Sequence, residues 1–124
     1  MRAEELKGHL DALLLATLEG GPRHGYAVIE ALRQSTDGRL DLPTGTIYPA
    51  LRRLEQAGLI AGTWSVVSGR RRREYQLTPA GVRALSGRRA AWRDFSATVT
   101  AALENAALEN AALEDTACPS PNPA

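Results

Sequence analysis

The chemistry-bearing side chains of this chain are its arginines, and they are clustered. Arg52 and Arg53 stand side by side within Leu42 to Ile60, and Arg70 to Arg73 form an uninterrupted run further on. A guanidinium is always charged and offers a planar fork of donors that matches phosphate oxygens and the edge of guanine. Thr46, Pro49 and Gln56 fall on the same outward side as Arg52 and Arg53, with Thr46 at its border. A hydroxyl and an amide there add hydrogen bonds to phosphates and base edges. Tyr48 lies on the flank, equally able to pack or to touch a phosphate. A run of charge is usually a solvated surface, and Arg52 or Arg53 alone reads as well that way. Beside a helix with its own outward arginines, a four-arginine run at the tip of a hairpin favours nucleic acid.

Other chemistries lack their parts. An enzyme needs a nucleophile beside a base, paired carboxylates, or a phosphate-cradling glycine loop. Ser68 and Ser86 have no His partner in view, and the glycines fall mostly at turns and helix ends. His9 and His24 belong to no cluster with ligand spacing, so neither a metal nor another cofactor is expected. His24 is expected near a helix N-terminus, within reach of a phosphate. Cys118 is the single cysteine and gives no sign of an oxidising compartment.

These side chains need elements to hold them. Ile47, Leu51 and Leu54 recur at helical spacing and predict the buried back of a helix whose front carries the polar set. Thr44 is a candidate cap, Gly58 a stop, and Pro49 is easiest to accommodate if the helix starts near Thr46. Leu59 to Val67 predicts a strand with Ile60, Trp64 and Val66 on one side. A turn at Ser68-Gly69 followed by the arginines leads to a second strand at Glu74 to Leu77.

Upstream, residues 9–19 place Leu10, Leu13, Leu14 and Leu18 on one helical face, which Leu6 lengthens and Leu15 widens. Thr17 on that face can bond a carbonyl one turn back. Gly20-Gly21-Pro22 ends this helix, and a second follows with Tyr26, Val28, Ile29 and Leu32 as its buried set. A turn-rich connection bending at Asp37-Gly38 joins it to the third, too long for a tight helix-turn-helix and suited to a winged variant. Thr78-Pro79-Ala80-Gly81 opens a last helix with Val82, Leu85, Trp92, Phe95 and Val99 as its apolar seam. That seam suits packing against a second copy.

The chain has 124 residues, one domain's worth, and a net charge of +1. Residues 1–93 hold all 15 bases against 9 acids, whereas residues 94–124 hold 5 acids and no base. A basic body thus carries an acidic tail. Residues 101–115 repeat AALEN, AALEN, AALED, whose leucines spiral round a helix instead of forming one stripe. Thr116 to Ala124 has the composition of a disordered end. Neither a signal peptide nor a membrane span is expected, and the location expected is cytoplasmic.

Several motifs together resemble a known family. They are His24-Gly25-Tyr26, then Gly45-Thr46-Ile47-Tyr48-Pro49-Ala50-Leu51-Arg52-Arg53-Leu54-Glu55 with Gly58-Leu59-Ile60, then Gly69-Arg70-Arg71-Arg72 leading to Tyr75-Gln76-Leu77-Thr78-Pro79-Ala80-Gly81. In this order and spacing they resemble a PadR-type transcriptional regulator, over about Leu10 to Val99. The resemblance implies a winged helix-turn-helix homodimer that binds a double-stranded operator, usually as a repressor. The single final helix resembles the smaller branch of the family, in which the first and last helices form the dimer. Leu10, Leu14, Trp92, Phe95 and Val99 become the corresponding candidates here. Some members bind aromatic or drug-like molecules in a pore between subunits, and Trp92 resembles the tryptophan that they place there. An interface anchor is the simpler reading of Trp92. The AALEN repeat departs from the family pattern.

The expectation is therefore a mainly α protein with a small β-hairpin. Residues 1–78 form a winged-helix DNA-binding domain, 79–100 a C-terminal dimerisation helix, and 101–124 a low-complexity helical or disordered acidic tail. DNA contacts are expected from His24, Thr44, Thr46, Tyr48, Pro49, Arg52, Arg53, Gln56 and Arg70, Arg71, Arg72 and Arg73. The partners are an operator, a second copy and a small-molecule effector. The alternative is a winged-helix module for protein assembly whose arginines serve an acidic partner.

Overall fold

The computed structural model describes residues 8–117, with side chains as far as residue 113. Expectations for Leu6, Cys118 and residues 118–124 lie outside the described residues. The elements run α1 (Leu10–Thr17), β1 (Arg23–His24), α2 (Gly25–Ser35), α3 (Thr44–Gln56), β2 (Ile60–Val67), β3 (Arg70–Leu77) and α4 (Pro79–Ala117). The architecture is the mainly helical winged one, with its strands in one antiparallel sheet of order β1-β3-β2. Compact units divide between Arg88 and Arg89, within α4. None of the described helices is long and apolar enough to cross a membrane.

Through Arg88, the core gathers one face of each of the first three helices. Leu14 and Leu15 of α1, Val28 and Leu32 of α2, and Ile47, Ala50, Leu51 and Leu54 of α3 are buried together with Ile60, Tyr75 and Leu85. Thr17 donates its hydroxyl to the Leu14 carbonyl at 2.6 Å, which satisfies the polar residue on an otherwise apolar face. Leu10 and Leu13 are only partly buried, so the covered stripe lies nearer Leu15 than the leucine spacing predicts. Tyr26 is 68% exposed and is no core residue. Its predicted place beside Val28 and Ile29 fails because the burial of α2 is carried by Gly25, Val28 and Leu32.

The connection between α2 and α3 is anchored as well as turned. Asp37 and Gly38 both take positive φ, making the predicted bend, and the Gly38 amide donates to the Arg33 carbonyl. Leu40 and Leu42 then drop into the core at 4% and 7% exposure. Two buried leucines in a polar segment fix where α3 begins.

That start is Thr44, with Pro43 as the N-cap and no side-chain cap bond, so the capping role expected of Thr44 is not realised. The Pro43 carbonyl accepts from Thr46 and Ile47 instead. Pro49 accordingly lies inside the helix, where its missing N–H forfeits a bond to Gly45. Gly58, at φ +78, ends the helix in the left-handed conformation expected of it.

The hairpin differs most from expectation. Ser68 and Gly69 have φ +52 and +78, as a two-residue turn of type I′ requires. The arginines are not loop residues at its tip, because β3 begins at Arg70 and pairs along its whole length with β2. A two-residue strand, Arg23–His24, adds to the other edge of β3. It is too short for any alternation to announce it.

α4 opens as its residues predict. The Thr78 hydroxyl donates to the Gly58 carbonyl at 2.6 Å and accepts from the Gly81 amide at 3.1 Å, capping the first turn. Leu85 is buried, whereas Val82 is 54% exposed. The helix continues through the whole AALEN repeat to Ala117, so Thr116 and Ala117 are helical. Leu103, Leu108 and Leu113 are exposed, in keeping with their spiral placement.

Candidate nucleic-acid interface

The buried stripe of α3 determines which residues face outward. Opposite Ile47, Ala50, Leu51 and Leu54, a helix of 3.6 residues per turn presents Gly45, Pro49, Arg52 and Gln56. All four are exposed, so the outer face of α3 combines one guanidinium and one amide with two residues that leave its surface low. Gly45 belongs to this set although no side-chain chemistry pointed to it. With no Cβ, it permits close approach of another backbone.

The flanks of α3 are tied to the scaffold. On one side Arg53 donates to Asp11 of α1 at 2.5 Å, and Arg88 reaches the same carboxylate at 4.0 Å. On the other, Arg73 of β3 is ion-paired with Glu55. The two neighbouring arginines are thereby separated. Arg52 stands on the outer face, while Arg53 is turned toward α1, with 59% of its side chain still exposed. Thr46 is half-buried on the Arg53 side and Thr44 is exposed at the first turn.

Tyr48 lies across the start of α2. A Cβ on Gly25 would be 2.4 Å from the Tyr48 ring, so glycine is needed there for the ring to rest on the backbone. Burial, and to a lesser degree Tyr26, pushes the Tyr48 phenol up from its ordinary value. Tyr26, 68% exposed, follows Gly25 in the first turn of α2. His24 precedes them as the N-cap of α2, its Nδ1 accepting from the Ala27 amide at 3.4 Å.

Pairing in the hairpin sorts the arginines by face. Trp64 is opposite Arg73 and Val66 opposite Arg71, whereas Ser65 is opposite Arg72 and Val67 opposite Arg70. Directly paired residues share a face and neighbours along a strand alternate. Arg71 and Arg73 therefore join Trp64, and their guanidiniums stand 4.5 and 5.3 Å from its ring centroid. Such contacts hold a cation against an aromatic face. Arg70 and Arg72 project from the other face, so four consecutive charges form two different pairs.

The remaining candidates are placed elsewhere. Leu14 is fully buried in the core and is not available to line a surface between subunits. Leu10 is partly buried against that core. Trp92 and Phe95 of the second unit are 52% and 60% exposed, their ring centroids 6.0 Å apart, and Val99 is also exposed. Among the described residues, no group of three or more His, Cys, Asp or Glu side chains is placed to hold a metal.

Comparison with known proteins agrees with this geometry. The family model described as "Transcriptional regulator PadR-like family" matches residues 14–87. The transcriptional regulator Rv3488 of Mycobacterium tuberculosis is 40% identical over 77 residues, which cover 62% of this chain and 59% of that protein. A PadR family transcriptional regulator from Eggerthella lenta superposes with a TM-score of 0.70 at 33% identity, covering 82% of this chain and 87% of that one. A transcriptional regulator from Clostridium thermocellum gives 0.73 at 26% identity, covering 79% and 96%. The match spans the core, α3, the hairpin and the first turns of α4, and the relatives are regulators of transcription and not enzymes. The chain belongs to the PadR-like family of transcriptional regulators.

Proposed function

We propose that the chain is a sequence-specific DNA-binding regulator that acts as a homodimer and represses by occupying its operator. The observation that carries this reading is the outer face of α3. Gly45, Pro49, Arg52 and Gln56 are exposed together, opposite a fully buried stripe, on a helix braced along both flanks. Such a helix can enter a major groove, where Arg52 and Gln56 have the donors and acceptors to read base edges. The hairpin beside it brings Arg70 and Arg72 to the phosphates. Tyr48 and the first-turn amides of α3 position the helix.

A dimer is favoured by the second unit, whose Trp92, Phe95 and Val99 leave an apolar seam open. Closed two-fold pairing would cover it and duplicate the reading head for a roughly palindromic site. The same aromatic surface suits a planar effector that releases the operator.

Selection of bound fragments from the native genome, with excess bulk DNA as competitor, tests the central reading. A recovered inverted repeat, bound at one dimer per site, is the expected result. Retention of fragments without any shared sequence would refute specificity and favour a module for protein assembly. Quenching of tryptophan emission across a panel of planar compounds, lost in Trp92→Leu, tests the effector.

A further inference from the structure

The arginine run leads to a distinction that charge alone does not make. Arg73 is on the same strand as Arg70 and Arg72, yet it is turned back onto α3. Its guanidinium pairs with the Glu55 carboxylate, and both side chains are about two-thirds covered, at 31% and 28% exposure. The space that it occupies exists because residue 62 is glycine. A Cβ there would be 2.8 Å from Arg73 Nε. Trp64, paired directly with Arg73 across the hairpin, presents its ring 5.3 Å from the same guanidinium. Three residues from two elements therefore converge on one cation: Glu55 in the last turn of α3, and Gly62 and Trp64 of β2.

Half-covered ion pairs differ from exposed ones in what happens when one partner is removed. An exposed cation such as Arg53, at 59%, loses little when its partner Asp11 is removed, because water takes the partner's place. Where both side chains are about two-thirds covered, a charge left behind is only partly rehydrated, so the pair is held more firmly than an exposed one. Arg70 and Arg72, on the opposite face of the hairpin, carry no ion pair among the described residues.

We propose that Arg73 is a positioning residue and not a DNA contact: held by Glu55, seated over Gly62 and against Trp64, it sets the angle of the wing to the recognition helix, while Arg70 and Arg72 make the wing's phosphate contacts. The proposal rests on the DNA-binding reading above. It assigns Glu55, an acid beside a DNA-binding surface, a purpose that a purely electrostatic account would not give it. Specificity then depends on α3 and the wing being presented at one mutual angle, and Arg73 contributes through that angle instead of through its charge.

The test measures binding of the full chain to its selected operator and to a scrambled duplex across a salt series. Each phosphate contact contributes about 0.9 to the slope of log affinity against log salt. Arg70→Ala and Arg72→Ala should each flatten the slope by about that amount per subunit and weaken both duplexes alike. Arg73→Ala should keep the wild-type slope and scrambled-duplex affinity while losing about tenfold on the operator, which is about 1.4 kcal/mol. Glu55→Gln, which removes a negative charge, should nevertheless weaken operator binding similarly. Gly62→Ala, which keeps both charges and displaces the guanidinium, should do the same and serves where Arg73→Ala does not fold. Reversing the pair, Glu55→Arg with Arg73→Glu, should restore operator preference. A slope flattened by Arg73→Ala as by Arg70→Ala would overturn the proposal, as would wild-type operator affinity in Glu55→Gln. If the wild type shows no operator preference, the DNA-binding reading itself fails, an outcome distinct from either of these.

Discussion

Gly81 packs its α-carbon directly against the carbonyl of Leu59. A Cβ at Gly81 would stand 1.9 Å from that oxygen, and the same carbonyl accepts the Thr78 amide at 3.1 Å. The first turn of α4 is therefore pressed against the backbone that links α3 to β2. Since the obstacle is main chain and not a flexible side chain, Gly81→Ala must shift either the helix or the strand. Overpacking of this kind costs about 1–3 kcal/mol. Urea unfolding should show a lowered midpoint with little change in slope, and an unchanged midpoint would show that the junction yields easily.

Gly25 makes an equivalent approach to a side chain, with a different expected result. Its absent Cβ leaves room for the Tyr48 ring, which a methyl group would meet at 2.4 Å. The ring can swing outward, so Gly25→Ala should reduce stability by less than Gly81→Ala. It should instead move the Tyr48 hydroxyl from its place against the start of α2. Operator affinity should fall several-fold in Gly25→Ala and by a similar factor in Tyr48→Phe. Full affinity in both would remove Tyr48 from the interface.

Much of this arrangement was legible in the sequence, and the failures have identifiable causes. The back of α3 could be read because Ile47, Leu51 and Leu54 repeat at the period of the helix itself. The face opposite followed from the same period. Which arginines were engaged did not, because their partners are remote: Asp11 is 42 positions from Arg53. Nor could the arginine run be assigned to a strand, since four identical charges carry no alternation to show which side faces in. The spacing of Val28, Ile29 and Leu32 puts Tyr26 in the core, yet Gly25 and Val28 carry the contact and the ring is exposed. Leu40 and Leu42 were hidden by the polar residues around them, whose turn chemistry dominates any local reading.

The Asp11 and Arg53 pair predicts a small effect on stability and a visible one on binding. Arg53 remains 59% exposed while paired, so water compensates for most of the loss of its partner. Asp11→Asn should change unfolding free energy by less than about 1 kcal/mol. Freed from that carboxylate, Arg53 becomes available to a neighbouring phosphate, and scrambled-duplex affinity should rise with a steeper salt dependence. Arg53→Ala should leave operator preference nearly intact. A complete loss of preference would instead make Arg53 a base-reading residue.

Tyr75 should set part of the alkaline limit of the fold. It is 6% exposed, and burial first, then the Glu55 carboxylate, pushes its phenol above the ordinary value, with Arg73 opposing. A group whose value is raised on folding contributes stability that is fully present below its unfolded value and is lost as pH rises through the folded one. The unfolded value for tyrosine is about 10. Unfolding midpoints should therefore hold through neutral pH and decline above about pH 10. Tyr75→Phe should lessen that decline, leaving the share due to Tyr48, whose shift has the same sign. Parallel declines in wild type and variant would assign the alkaline loss to other groups.

The distal part of α4 should be dispensable for the stability of the head. Every residue of the hydrophobic core lies between Leu14 and Leu85, and all the side chains described from residue 97 to 113 are exposed. What keeps the AALEN segment helical is composition, since alanine, leucine and glutamate lose little on entering a helix. Its leucines step round the axis, so no single stripe exists for the head to cover. A chain ending at residue 100 should show less helical circular dichroism per molecule, yet the same thermal midpoint when measured through the winged unit at fixed protein concentration. If dimer formation through Trp92, Phe95 and Val99 contributes to that midpoint, dilution should lower it equally in the full and shortened chains. A midpoint that falls only in the shortened chain would place part of the subunit contact in the repeat, beyond Val99.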